Sequence, residues 1–109
     1  MGEEAEEFRR RLEGILEELM ENSGIELYGN LKIEVVDMDE PAFIKGNTIY
    51  VSADARAYPD HVLKYIIAHE LAHLLVKAHT KKFWEIVRMI YPEYERGKKD
   101  LLRIYGLHG

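Results

Sequence analysis

Apolar positions along the chain follow two rhythms, one with the period of a helix and one with that of a strand. Between Glu3 and Asn22 they fall at Phe8, Leu12, Ile15, Leu16 and Leu19, the spacing of one helical face. Gly24 suits the left-handed residue that ends such a helix, and the acidic run Glu3–Glu7 suits its first turn. Leu31-Lys32-Ile33-Glu34-Val35 then alternates apolar and charged residues, as a half-buried strand does. Ala42-Phe43-Ile44 and Thr48-Ile49-Tyr50-Val51 read as two more strands, joined by a hairpin turn at Lys45-Gly46-Asn47. From Pro59-Asp60 the helical period returns, with Asp60 as cap and Val62, Leu63, Ile66, Ile67, Leu71, Leu74 and Leu75 as its apolar positions. Another helix is predicted from Thr80 to Tyr91, stopped by Pro92, and a last one from Glu93 to about Tyr105. The predicted class is α+β: an N-terminal helix, a small three-stranded and mainly antiparallel sheet, a long helix and two C-terminal helices.

Composition narrows the chemistry. A chain of 109 residues, 47% apolar and 32% charged, is expected to form one globular domain spanning 1–109. It has no cysteine, so any metal must be held by nitrogen and oxygen ligands. The net charge of −5 is uneven: residues 1–40 hold thirteen acidic against four basic side chains, and residues 41–109 hold seven against eleven. That is too weak a basic face for a nucleic-acid binder, so no nucleic-acid partner is expected. No apolar run approaches the roughly 20 residues that span a bilayer, and the acidic start lacks a secretory pattern. A cytoplasmic protein without a membrane partner is the expectation. The absence of glutamine and the abundance of Glu, Lys and Arg suit the surface ion-pair networks of a thermophile.

His69-Glu70-Leu71-Ala72-His73 fits H-E-x-x-H and falls inside the predicted long helix. Residues at i and i+4 share a helical face, so both imidazoles can address one ion. Glu70 lies roughly 100° further round the axis, where it can work on metal-bound water instead of coordinating. Shuffling this composition yields the motif in about one chain in forty, so its context carries weight. That context is apolar on both sides, Ile66-Ile67-Ala68 before and Leu74-Leu75-Val76 after, which sinks the helix into a core. A catalytic zinc takes three protein ligands and leaves one position open. His79, six residues beyond His73 where the helix should end, is the candidate third ligand; Glu85, Glu93 and Glu95 are its rivals. His61, about 12 Å back along the helix, is too distant for the same ion. An oxyanion donor is also required, and His61, Tyr65, Tyr91 and Tyr94 are all candidates. A peptide substrate is expected to pair with the sheet's edge strand, assigned to Asn47–Ser52. Phe83-Trp84 reads as core beneath the metal helix.

The stretch Ala68–Leu74, then His79-Thr80-Lys81-Lys82-Phe83-Trp84, then Tyr91-Pro92-Glu93-Tyr94, resembles the minigluzincins, minimal soluble metallopeptidases of thermophilic prokaryotes. The match is carried by about residues 60–96. It implies a gluzincin-like fold with one Zn²⁺ per chain on His69, His73 and His79, Glu70 as the catalytic residue, and kinship with the catalytic domains of membrane-embedded peptidases. It also implies a zymogen, blocked by its own C-terminal segment, here about 95–109, in which His108 is a candidate fourth ligand or cleft blocker. The expected partner is a peptide or protein substrate, and the expected state a monomer or a dimer swapping C-terminal helices. The metzincin pattern shares the ligand spacing, but its glycine is replaced by Val76. Two other classes remain open: a DNA-associated protease or antitoxin-like partner, and a non-catalytic module using zinc structurally.

Overall fold

The computed structural model describes residues 2–24 and 31–105. Helix α1 (Gly2–Ser23) leads to strands β1 (Lys32–Val36), β2 (Ala42–Lys45) and β3 (Thr48–Ser52). A 3₁₀ turn at Ala53–Ala57 follows, and then α2 (Asp60–Ala72), α3 (Lys81–Ile90) and α4 (Tyr94–Tyr105). This is the expected α+β order. The apolar stripe of α1 is buried as its period requires, through Phe8, Leu12, Ile15 and Leu19, and Gly24 adopts φ 69° just past the helix.

The sheet runs β1-β3-β2, so β3 is its centre. Asn47–Ser52 was the expected edge, and the structure corrects this: Ile49, Val51 and Ser52 are buried, and a strand hydrogen-bonded on both sides offers no free edge. The sheet is mixed. β2 and β3 form the antiparallel hairpin, turning at Gly46 with φ 61°, whereas β1 and β3 are parallel. Parallel pairing follows because the segment between β1 and β2 carries the chain past β3. Ser52 pins that segment, its amide donating to the Pro41 carbonyl (2.9 Å) and its hydroxyl to the Met38 carbonyl (3.0 Å).

Helix α2 is the centre of the molecule, packed by α1, α3, α4 and β2. It buries Val62, Leu63, Ile66, Ile67, Ala68, Leu71 and Ala72, residues that point in nearly every direction around its axis. Asp60 does not cap it. Pro59 occupies the cap position, and Asp60 is the first helical residue. Asp60 instead accepts from the Arg11 guanidinium, which also donates to the carbonyls of Arg56 and Tyr58 and so ties α1 to the start of α2. Helix α4 crosses α2 with Gly97 at the closest approach. A Cβ at that position would stand 2.6 Å from the Cβ of Tyr65, and nearer still to the carbonyl oxygen of His61.

Candidate metal centre

The two histidines of the motif reach one face because α2 carries them a turn apart, at its last turn and its C-cap. The helix ends at Ala72, with the His73 amide still donating to the carbonyls of His69 and Glu70. The helix therefore stops at His73, short of the apolar Leu74 and Leu75 that its pattern had included, and residues 73–80 are loop. Thr80 begins the next helix, its hydroxyl accepting from the Phe83 amide at 3.3 Å. This loop brings His79 back over the end of α2.

Its effect is convergence. His69, His73 and His79 each offer a nitrogen, and these nitrogens lie within 4.8 Å of one another. Nε2 of His73 and Nε2 of His79 are 3.1 Å apart. Two ligands of a tetrahedral ion with bonds of about 2.0–2.1 Å sit about 3.3–3.4 Å apart, so this donor set fits a single small cation. Glu85, Glu93 and Glu95 are exposed and take no part in this group among the described residues.

Phe83, fully buried, forms the floor. Its ring centroid is 5.1 Å from that of His69, 4.6 Å from His73 and 4.9 Å from His79. One side of Trp84 meets the cluster too, 6.1 Å from both His69 and His79 and nearly parallel to the latter. Phe83 thus fulfils the core role expected of it. His79 is the most exposed of the three imidazoles, yet the desolvation it suffers, then repulsion from His69 and His73, lowers its pKa below the usual histidine value. A neutral imidazole is the form that binds metal.

Glu70 is buried beside the cluster, with Oε2 3.3 Å from Nδ1 of His69. A hydrogen on Nδ1 satisfies that contact and leaves Nε2 of His69 as the nitrogen with a free lone pair. Glu70 and His69 open onto a cleft of about 210 Å³, walled by Pro41 and Ala42 at β2, Tyr65 and Ile66 of α2, and Leu101 of α4.

Of the four candidate oxyanion donors, Tyr65 alone lines this cleft. Burial, then the nearby Glu70 carboxylate and Tyr94, push its phenol up to about 12, which keeps it a hydroxyl at neutral pH. Tyr94 stacks on Tyr65 and Trp84. His61 turns to α4, its Nε2 2.6 Å from Asp100 Oδ2, and that pairing holds the Asp100 carboxyl below its ordinary range. Tyr91 caps α3, near Lys64 and Glu18, and its phenol is raised by burial and then by Glu93. His108 lies outside the described residues. Sequence reasoning missed the cleft walls Pro41, Ala42 and Leu101, which no local pattern marks because two elements far apart in the chain, β2 and α4, supply them.

A family model described as "YgjP-like, metallopeptidase domain" matches residues 5–103. No curated protein matches the chain. Among solved structures, the metallopeptidase zymogen of Pyrococcus abyssi abylysin is similar at 25% identity and TM-score 0.72, covering 89% of this chain and 94% of that one. The zymogen of Methanocaldococcus jannaschii jannalysin shares the fold at 24% identity and TM-score 0.69, covering 88% and 96%.

Proposed function

The chain belongs to the YgjP-like metallopeptidase family, and on that premise we propose that it is a zinc-dependent endopeptidase, holding one zinc on His69, His73 and His79 and using Glu70 for proton transfer. The observation that carries this reading is the convergence of three imidazole nitrogens beside one buried carboxylate at the foot of a cleft. Zinc, when bound, supplies a Lewis acid that polarises a carbonyl and makes water acidic near neutral pH. Glu70 then accepts a proton from the attacking water and delivers it to the leaving amine. Tyr65 donates its hydroxyl hydrogen to the developing oxyanion, with Tyr94 packed behind it. The peptide pairs with β2, the edge strand whose start borders the cleft, so backbone hydrogen bonds provide grip independent of sequence.

The reading includes latency. Both similar structures are described as zymogens, and here α4 already walls the cleft through Leu101. The blocking element lies in the segment at about 95–109, in the tail beyond α4 that carries His108, acting at the high effective concentration of a tethered ligand. The protein works in the cytoplasm on peptide or protein substrates; no described helix is long and apolar enough to cross a membrane.

The test uses an unfolded protein substrate, the full chain and a chain lacking residues 106–109. Removal of the tail should raise hydrolysis, and Glu70→Gln should abolish it while zinc stays bound. Deletion of everything after Tyr94 is the harsher variant, because it strips α4 from Tyr65. Latency is lost as an idea if the short truncation stays folded and zinc-loaded yet cleaves no faster. A Glu70→Gln chain with undiminished turnover removes Glu70 from the mechanism.

A further inference from the structure

Helix α4 places a cation at the rim of the candidate centre. Lys98, half-buried one turn after Tyr94, holds its ammonium 3.9 Å from the centroid of a Trp84 ring. Among the described residues no carboxylate pairs with it. Glu95, one turn earlier, lines the same outer groove as Lys98 and Lys99 without forming an ion pair to either. An ammonium seated on an aromatic face with no carboxylate partner keeps unused hydrogen-bonding capacity, since it carries three donors.

Its position gives that capacity a direction. Trp84 lies 6.1 Å from the rings of both His69 and His79. Taken end to end with the 3.9 Å to Lys98, this puts the ammonium within about 10 Å of both imidazoles, roughly three residues of extended peptide at about 3.3–3.6 Å each. The indole also fixes the lysine stem, which reduces the side-chain entropy lost when an anion arrives.

Resting on the peptidase reading, we propose that Lys98 is a specificity-determining residue. Its ammonium, seated on Trp84, ion-pairs a carboxylate of the peptide substrate within about three residues of the scissile bond. The carboxylate belongs either to an acidic side chain or to the substrate's own C-terminus. Preference for such substrates comes from this pair and not from the metal.

Trp84 is the chain's only tryptophan, so its fluorescence reports on this spot without turnover. The test titrates three alanine-based decapeptides into the full-length, zinc-loaded Glu70→Gln chain. One is capped at both ends and carries a single Glu, scanned along its length; one is the capped Gln counterpart; one is the Gln peptide with a free C-terminal carboxylate. A carboxylate peptide should bind about tenfold tighter than the fully neutral one, as a charge-assisted contact at a partly desolvated site allows. Whether the Glu peptide or the free-acid peptide shows the gain identifies the source. Lys98→Met, which keeps the stem, should reduce the preference to within about twofold, while Lys98→Arg retains most of it. A tethered tail competing for the cleft weakens all three peptides by one factor and leaves their ratio intact. Equal binding of neutral and carboxylate peptides, or a preference that survives Lys98→Met, overturns the assignment. If the peptides bind equally and the Glu70 chain still cuts them, only the role of Lys98 is lost. If none binds and none is cut by the tail-truncated chain, the peptidase reading falls and this assignment with it.

Discussion

Gly97→Ala separates two physical effects by the sign of one measurement. Within α4, replacing glycine by alanine should stabilise the helix by about 1 kcal/mol through backbone entropy alone. The structure opposes this. The new Cβ would stand 2.6 Å from the Cβ of Tyr65 and overlap the His61 carbonyl, and neither group can rotate away. Carbon atoms rest at about 3.5–4.0 Å, so α4 must retreat by roughly 1 Å. Overpacking of this kind costs about 1–3 kcal/mol, and with rigid partners the upper part of that range applies. After the offset from propensity, a net loss of about 1–2 kcal/mol remains, or a fall in Tm of roughly 5–10 °C for a chain of this size. Urea and thermal unfolding of the full chain measure it, with an unchanged urea slope confirming that the native state is what altered. A Tm equal to or above that of the parent would refute the close approach of α4 to α2, and with it the placement of Leu101 over the cleft.

Three other outcomes follow from the geometry. Phe83→Ala removes a fully buried ring touching all three imidazoles, and should cost about 3–5 kcal/mol while weakening metal binding measured by competition with a chromogenic chelator. Asp60 and Asp100 both have folded-state pKa values depressed, by hydrogen bonds from Arg11 and His61 respectively, so each contributes stability above its unfolded pKa that is lost as pH falls through the folded one. Tm should therefore drop as pH falls below about 4, and by less in Asp100→Asn. At the alkaline end the Tyr65 phenol is pushed up to about 12, so tyrosinate absorbance should show a last tyrosine ionising well after the exposed ones. Because that pKa is raised, stability should be lost as pH climbs from about 10 towards 12, and Tyr65→Phe should remove this step.

The sequence was most informative where one local rule decides the outcome. The i, i+4 spacing of His69 and His73 and the helix-start signal at Thr80 were enough to expect a loop between them, and His79 lies where that loop returns. The stripe Phe8, Leu12, Ile15, Leu19 is buried as its period required. What depends on distant pairing was not legible. Alternation in Thr48–Val51 tells which side chains face the core, yet is silent on which strands flank it, so the central strand read as an edge. Asp60 has the right chemistry for a cap, but Arg11, 49 residues away, captures it. Gly97 and Lys98 carry no local signal within the predicted last helix. Their significance comes from Tyr65, His61 and Trp84, which approach only after α4 has packed.

The central claim is that three histidines, and no carboxylate, hold the metal. Native mass spectrometry of the full chain titrated with zinc addresses it without depending on activity or latency. One zinc per chain is expected, retained by Glu70→Gln and Glu85→Ala, and lost or greatly weakened in His69→Ala, His73→Ala and His79→Ala. A His79→Ala chain that keeps full zinc while Glu85→Ala loses it would contradict the account at its centre.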